Sequence, residues 1–129
     1  MPYKLKVDEK AVGGKGKYVN AKGNAECAVF VQQATGAPVT SQWARGIQVK
    51  TASSTEIPRG TAIATFDSGG HYPTDTSGKH AAIYLSHDKD QILVLDQWKS
   101  QAEVKQRSIW FNRPEGSRSN NGDMFYVIE

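Results

Sequence analysis

Two side chains in this sequence could together cleave an amide: Cys27, the single cysteine, and His80, one of three histidines. A free thiol ionises near pH ~8.5, so a nucleophilic cysteine needs a neighbour that removes its proton or stabilises the thiolate. The first turn of a helix gives part of that help through its unpaired amides and macrodipole, and the same amides can hold a tetrahedral oxyanion. An imidazole gives the rest, taking the thiol proton and later returning it to the leaving amine. Each residue also has a structural reading. A lone cysteine on the apolar stripe of a helix is commonly core filling, and a histidine at a strand start can be a polar end residue. The pairing of the two is what points to nucleophilic catalysis.

The elements that would position them can be read from periodicity. In NAECAVFVQQATGAP, residues Cys27, Phe30, Val31 and Ala34 recur on one helical face; Asn24 is placed to cap the start, and Gly36 with Pro38 ends it. Cys27 therefore falls in the first helical turn. Residues 1–23 are rich in Lys and Gly and read as an irregular arm, and Ser41 is placed to cap a short helical stretch, SQWAR, closed by Gly46. From Ile57 onward the period shifts to two, with strands expected at 61–66, 80–85, 92–98, 104–111 and 124–129. One early helix followed by a run of strands predicts an α+β domain, the cysteine helix packed on an antiparallel sheet of about five strands. Two long loops, 67–79 and 112–123, interrupt the sheet, and loops of that length in a compact domain tend to carry function.

A third group should orient the imidazole, and Asp96 and Gln97 stand side by side on the strand after His80. Strand alternation allows only one of them to share the face of His80. A five-residue loop over 86–90 sets His80 opposite Asp96, whereas a loop ending at Gln91 selects Gln97. Both faces of ILVLDQW are apolar, so patterning leaves the choice open. Asp96 is preferred because a carboxylate stabilises the imidazolium and an amide only orients it. His71 lies in the first long loop and His87 in the charged turn SHDKD, both expected at the surface; Trp43, Trp98 and Trp110 suit either core or cleft.

Composition bounds the remaining classes. The 129 residues suffice for one domain, taken as 1–129, and 38% hydrophobic with 22% charged residues is a globular composition. A net charge of +3 with scattered lysines gives no nucleic-acid footprint, and no stretch approaches membrane-spanning length. The N-terminus lacks the layout of a secretory signal, so synthesis in the cytoplasm is expected. One cysteine allows no internal disulfide, and histidines at 71, 80 and 87 have no metal-ligand spacing; neither metal nor cofactor is expected.

The segments GNAECAVFVQ, IPRGTAIATF, HAAIYL and VLDQW, in that order, resemble the papain-like cell-wall hydrolases of the NlpC and CHAP type. Within that superfamily the chain looks closest to small bacterial proteins related to the amidase effectors of type VI secretion. The resemblance runs over roughly residues 18–129, with Glu26 before the cysteine and Ala28-Val29 after it departing from the usual motifs. It implies a papain-like fold in which Cys27 is the nucleophile, His80 the base and Asp96 or Gln97 the third member. Tyr18 falls where many NlpC-type enzymes keep a tyrosine that positions the site, so Tyr18 and Gln97 are expected on its substrate side. It further implies cleavage of amides in peptidoglycan stem peptides, delivery from the producer's cytoplasm into a rival's periplasm, and an immunity protein as inhibitor. Two other readings of the same residues stay open: a deamidase or transacylase of the same fold, and a non-catalytic binding module.

Overall fold

The computed structural model describes residues 2–75 and 78–129; Thr76 and Ser77 of the first long loop lie outside the described residues. Six antiparallel strands, β1 (Arg45–Gln48), β2 (Ala62–Thr65), β3 (Ala81–His87), β4 (Gln91–Asp96), β5 (Lys105–Trp110) and β6 (Phe125–Ile128), form one sheet in the order β1-β6-β2-β3-β4-β5. The one α-helix among the described residues, α1 (Cys27–Thr35), packs on it. The architecture is α+β, as the change of hydrophobic period predicts.

Small residues let the helix approach the sheet closely. Ala62, Ala64 and Ala81, all without solvent exposure, share a core cluster with Phe30, Val31 and Ala34 of α1. Alternation sends Ile63, Ala82, Tyr84, Ile92 and Val94 to the opposite face, where they meet Val49, Ile57 and Phe111 from the connecting segments and the end of β5. Both faces of the central strands are therefore covered, which is why β2 is buried at every position. The arm before α1 is irregular but tied down: Lys4 bridges to Thr61, and one 3-10 turn forms at Glu9–Ala11.

The structure differs from the sequence reading at two places. The stretch read as helical around SQWAR holds only a 3-10 turn, Thr40–Gln42, and from Arg45 the chain becomes β1, a sixth strand paired with β6. Gly46, read as a helix end, serves a close approach instead: a Cβ there would lie 2.8 Å from the Val127 carbonyl oxygen. At the start of α1 the N-cap is Glu26, with no side-chain cap, while the backbone N–H of Asn24 donates to Asn20 Oδ1 at 3.0 Å. The helix ends at Gly36 as expected, in the left-handed region at φ 78° with its N–H donating to the Gln32 carbonyl.

Candidate active site

Cys27 is the first residue of α1, so its own amide and those of Ala28 and Val29 precede the first intrahelical bond, from the Phe30 N–H to the Glu26 carbonyl. The side chain of Gln97 holds this helix start in place. Its Nε2 donates to the Tyr18 carbonyl at 2.8 Å and to the Glu26 carbonyl at 3.0 Å. Tyr18 and Gln97, expected on the substrate side, are both turned inward: Gln97 is 1% exposed, and the Tyr18 ring packs on Phe30 with centroids 5.1 Å apart.

His80 stands immediately before β3 and is 6% exposed. Thr65 fixes its backbone from β2: the Thr65 hydroxyl accepts the His80 N–H at 3.1 Å and donates to the Gly78 carbonyl at 2.7 Å, and the Thr65 N–H donates to the His80 carbonyl at 3.0 Å. The imidazole Nε2 meets Asp96 Oδ2 at 2.7 Å. With Nε2 facing Asp96, Nδ1 is the nitrogen left to serve the thiol of Cys27, whose ionisation the imidazole favours.

The register of the β3–β4 hairpin explains why Asp96 is the partner. The last pair before the turn is His87 with Ile92, so the loop spans 88–91, shorter than either length considered from sequence. That tip register, continued along a regular ladder, would bring Gln97 to the face of His80. A β-bulge at Leu85 intervenes: Ser86 pairs with Leu93, but Tyr84 pairs with Val94 and Ile83 with Leu95. The extra residue changes the parity, and His80 and Asp96 end on one face as diagonal neighbours.

Three groups absent from the sequence reading complete the surroundings. Tyr72, in the first long loop, places its hydroxyl 3.6 Å from the Cys27 sulfur, and its ring packs edge-on against buried Trp43 at 4.9 Å. Arg107 of β5 donates from Nε to Asp96 Oδ2 at 2.7 Å, and its guanidinium lies over the Trp98 ring at 5.2 Å. Its Nη2 is 3.3 Å from His80 Nε2, a contact of two donors once Nε2–H points at Asp96. Thr65 is the third. The loop carrying Tyr72 is visible in the sequence as functional, whereas Arg107 is identifiable only once β5 is known to pair Arg107 with Val94, two residues from Asp96.

The electrostatics favour a thiolate beside an imidazolium. Burial pushes the Cys27 thiol up, but the hydrogen bond and charge of His80, with hydrogen bonds from the Tyr72 hydroxyl and the Ala81 amide, bring it below the ordinary thiol value. Burial pushes His80 down, yet hydrogen bonds to Asp96 and Cys27 and the charges of both lift it to about 9. Tyr72 is raised, by burial first and then by the Cys27 charge, and stays a protonated donor. Asp96 has no solvent exposure, and its Oδ1 has no hydrogen-bond partner among the described residues, whose hydrogen bonds to this carboxylate run through Oδ2.

A helix bearing a thiol at its first residue, laid on an antiparallel sheet whose adjoining strands supply an imidazole and a carboxylate, is the architecture of papain-like cysteine hydrolases. The chain belongs to the domesticated amidase effector 2 family, whose model matches residues 5–128. It is 37% identical over 117 residues to domesticated amidase effector 2 of Ixodes scapularis, covering 88% of this chain and 78% of that one. It is 33% identical over 115 residues to a type VI secretion amidase effector 2 protein of Salmonella typhi, covering 81% and 84%. The solved structure of a type 6 secretion amidase effector 2 matches with a TM-score of 0.78 at 30% identity, covering 97% of this chain and 93% of that one. Among the described residues no helix is long and apolar enough to cross a membrane.

Proposed function

We propose that this protein is a cysteine amidase that cuts an amide bond in peptidoglycan stem peptides and acts as an antibacterial effector. The observation that carries the reading is geometric: a buried His80 imidazole held by Asp96 at 2.7 Å, with Cys27 opening α1, its thiol drawn below the ordinary value by that imidazole against the effect of burial. Membership of an amidase effector family supports the reaction class, and the resemblance of the segments around Cys27, His80 and Asp96 to cell-wall hydrolases supports the substrate.

The Cys27 thiolate attacks the carbonyl carbon, and the developing oxyanion is held by first-turn amides of α1. Collapse of the tetrahedral intermediate breaks the C–N bond as His80 gives its proton to the departing amine, leaving a thioester on Cys27. His80, now neutral, takes a proton from water as it attacks the thioester, and release of the acid restores the thiolate and imidazolium. Asp96 keeps the ring oriented and its cationic form stable through both halves. Tyr72 donates to the sulfur, and Tyr18 and Gln97 keep the helix start in register with the ring. Action in the periplasm of a target cell, and restraint by an immunity protein in the producer, follow from the effector reading.

Incubating purified muropeptides with wild-type protein and with Cys27→Ala tests the mechanism. Wild type should yield products that together contain one added water, and the variant none. Full activity in Cys27→Ala would sink the proposal, and loss of ammonia from a side-chain amide without backbone cleavage would move the reaction to deamidation.

A further inference from the structure

A groove opens beside His80 and runs away from it along β5. A cavity of about 320 Å³ is lined by Lys79, His80, Trp98, Arg107, Ser119 and Asn120. A second, of about 330 Å³, shares Arg107 and Asn120 with it and extends along β5 to Trp110, Arg113 and Glu115. The two adjoin at Arg107 and Asn120, and among the described residues their charged lining is Lys79, Arg107, Arg113 and the His80 imidazolium against one acid, Glu115.

The two arginines are built differently. Arg107 is committed to Asp96 through Nε. Arg113 has no carboxylate partner among the described residues: its Nη1 donates to the carbonyls of Phe111 at 3.3 Å and Asn112 at 3.1 Å, and its guanidinium lies over the Trp110 ring at 5.9 Å. Trp110 itself is 46% exposed, although it ends a strand whose preceding residue, Ile109, is buried. A guanidinium held at one nitrogen by backbone carbonyls and rested on an indole face is pre-oriented, with Nε and Nη2 left to form a planar two-donor fork. Such a fork matches a carboxylate.

We propose that the Arg113–Trp110 end of this groove is a remote subsite that takes a free carboxylate of the peptide substrate, several bonds from the amide under attack. The proposal rests on the amidase reading and adds the requirement of an acidic group at a fixed distance. Lys79 and Arg107, between the subsite and His80, extend the same positive field along the path the peptide follows. A neutral or amidated peptide would fill the groove without engaging Arg113.

The test compares one muropeptide stem peptide with its carboxylates free and the same peptide with them amidated, cut by wild type and by Arg113→Gln. In wild type the amidated peptide should show KM raised about tenfold with kcat unchanged, the scale of one charge-assisted contact near the surface. Arg113→Gln should raise KM for the acid by about the same factor and leave the amide's KM alone, while Arg113→Lys, charged but without the fork, should fall between. A variant that weakened the loop generally would penalise both peptides equally, and that result, or no change at all, overturns the proposal. If wild type cuts neither peptide, the cysteine reading has failed on its own terms. The subsite is then judged by calorimetric binding of the two peptides: preference for the acid that Arg113→Gln abolishes supports it, and equal or absent binding overturns it.

Discussion

Replacing Asp96 by Asn is the sharpest perturbation of the proposed mechanism, because it keeps the shape of the side chain and removes its charge. The rise of His80 from the usual 6.5 to about 9 corresponds to roughly 3 kcal/mol in favour of the imidazolium. Burial acts against that charge, and the Asp96 hydrogen bond is the largest influence opposing it. In Asp96→Asn the burial persists, so His80 should titrate at least one pH unit lower, and the Cys27 thiol, losing a full positive neighbour, should titrate higher. Hydrolysis should fall by up to roughly 10⁴ in kcat, the loss that follows when the carboxylate of a catalytic triad is neutralised. Stability should respond as well. A group whose folded value lies above its unfolded one stabilises fully below about pH 6.5 and loses that contribution as pH rises through about 9, so the wild type should weaken over that window and the variant should weaken less, by as much as its His80 value has fallen. Imidazole NMR titration, iodoacetamide alkylation against pH and urea unfolding at pH 6 and pH 9.5 read the three effects. The reasoning fails if Asp96→Asn keeps a His80 titration near 9, or if its kcat stays within about threefold of wild type.

Two further perturbations follow from named contacts. Tyr72→Phe removes the hydroxyl 3.6 Å from sulfur, so alkylation of Cys27 should shift to higher pH while the fold, with the ring still against Trp43, is unchanged; an unshifted alkylation profile refutes the contact. Gln97→Ala leaves the carbonyls of Tyr18 and Glu26 without their shared donor in a buried place, at a cost of about 1–3 kcal/mol in urea unfolding. That variant should retain the His80 titration, since Gln97 does not touch the ring; a large change there would mean that Gln97, rather than Asp96, orients it.

Much of this architecture is legible in the residues. The period of 3.6 over 27–35, with Gly36 to stop it, and the period of two from 61 onward gave α1 and five of the six strands. Strand β1 escaped notice because Gly46 reads as a helix terminator, and only the closeness of the Val127 carbonyl shows why glycine stands there. Cys27 and His80 could be paired because each sits at the start of an element, where position along the chain nearly fixes position in space. The choice between Asp96 and Gln97 could not be made by counting the turn, since the tip register alone would have named the wrong residue and the bulge at Leu85 reverses it. Long-range partners such as Arg107 and Tyr72 depend on register and loop path, which no local pattern records.

The bulge at Leu85 also gives the hairpin slack. A three-residue tip over 88–90 with a regular ladder, and the observed four-residue tip with the bulge, are two solutions that leave the pairs Tyr84–Val94 and Ile83–Leu95 untouched. The bulge thus absorbs the difference in register between the two ends of the hairpin, so the tip around His87, itself held by the Tyr84 hydroxyl and the Ala52 carbonyl, is spaced independently of the end that carries His80 and Asp96.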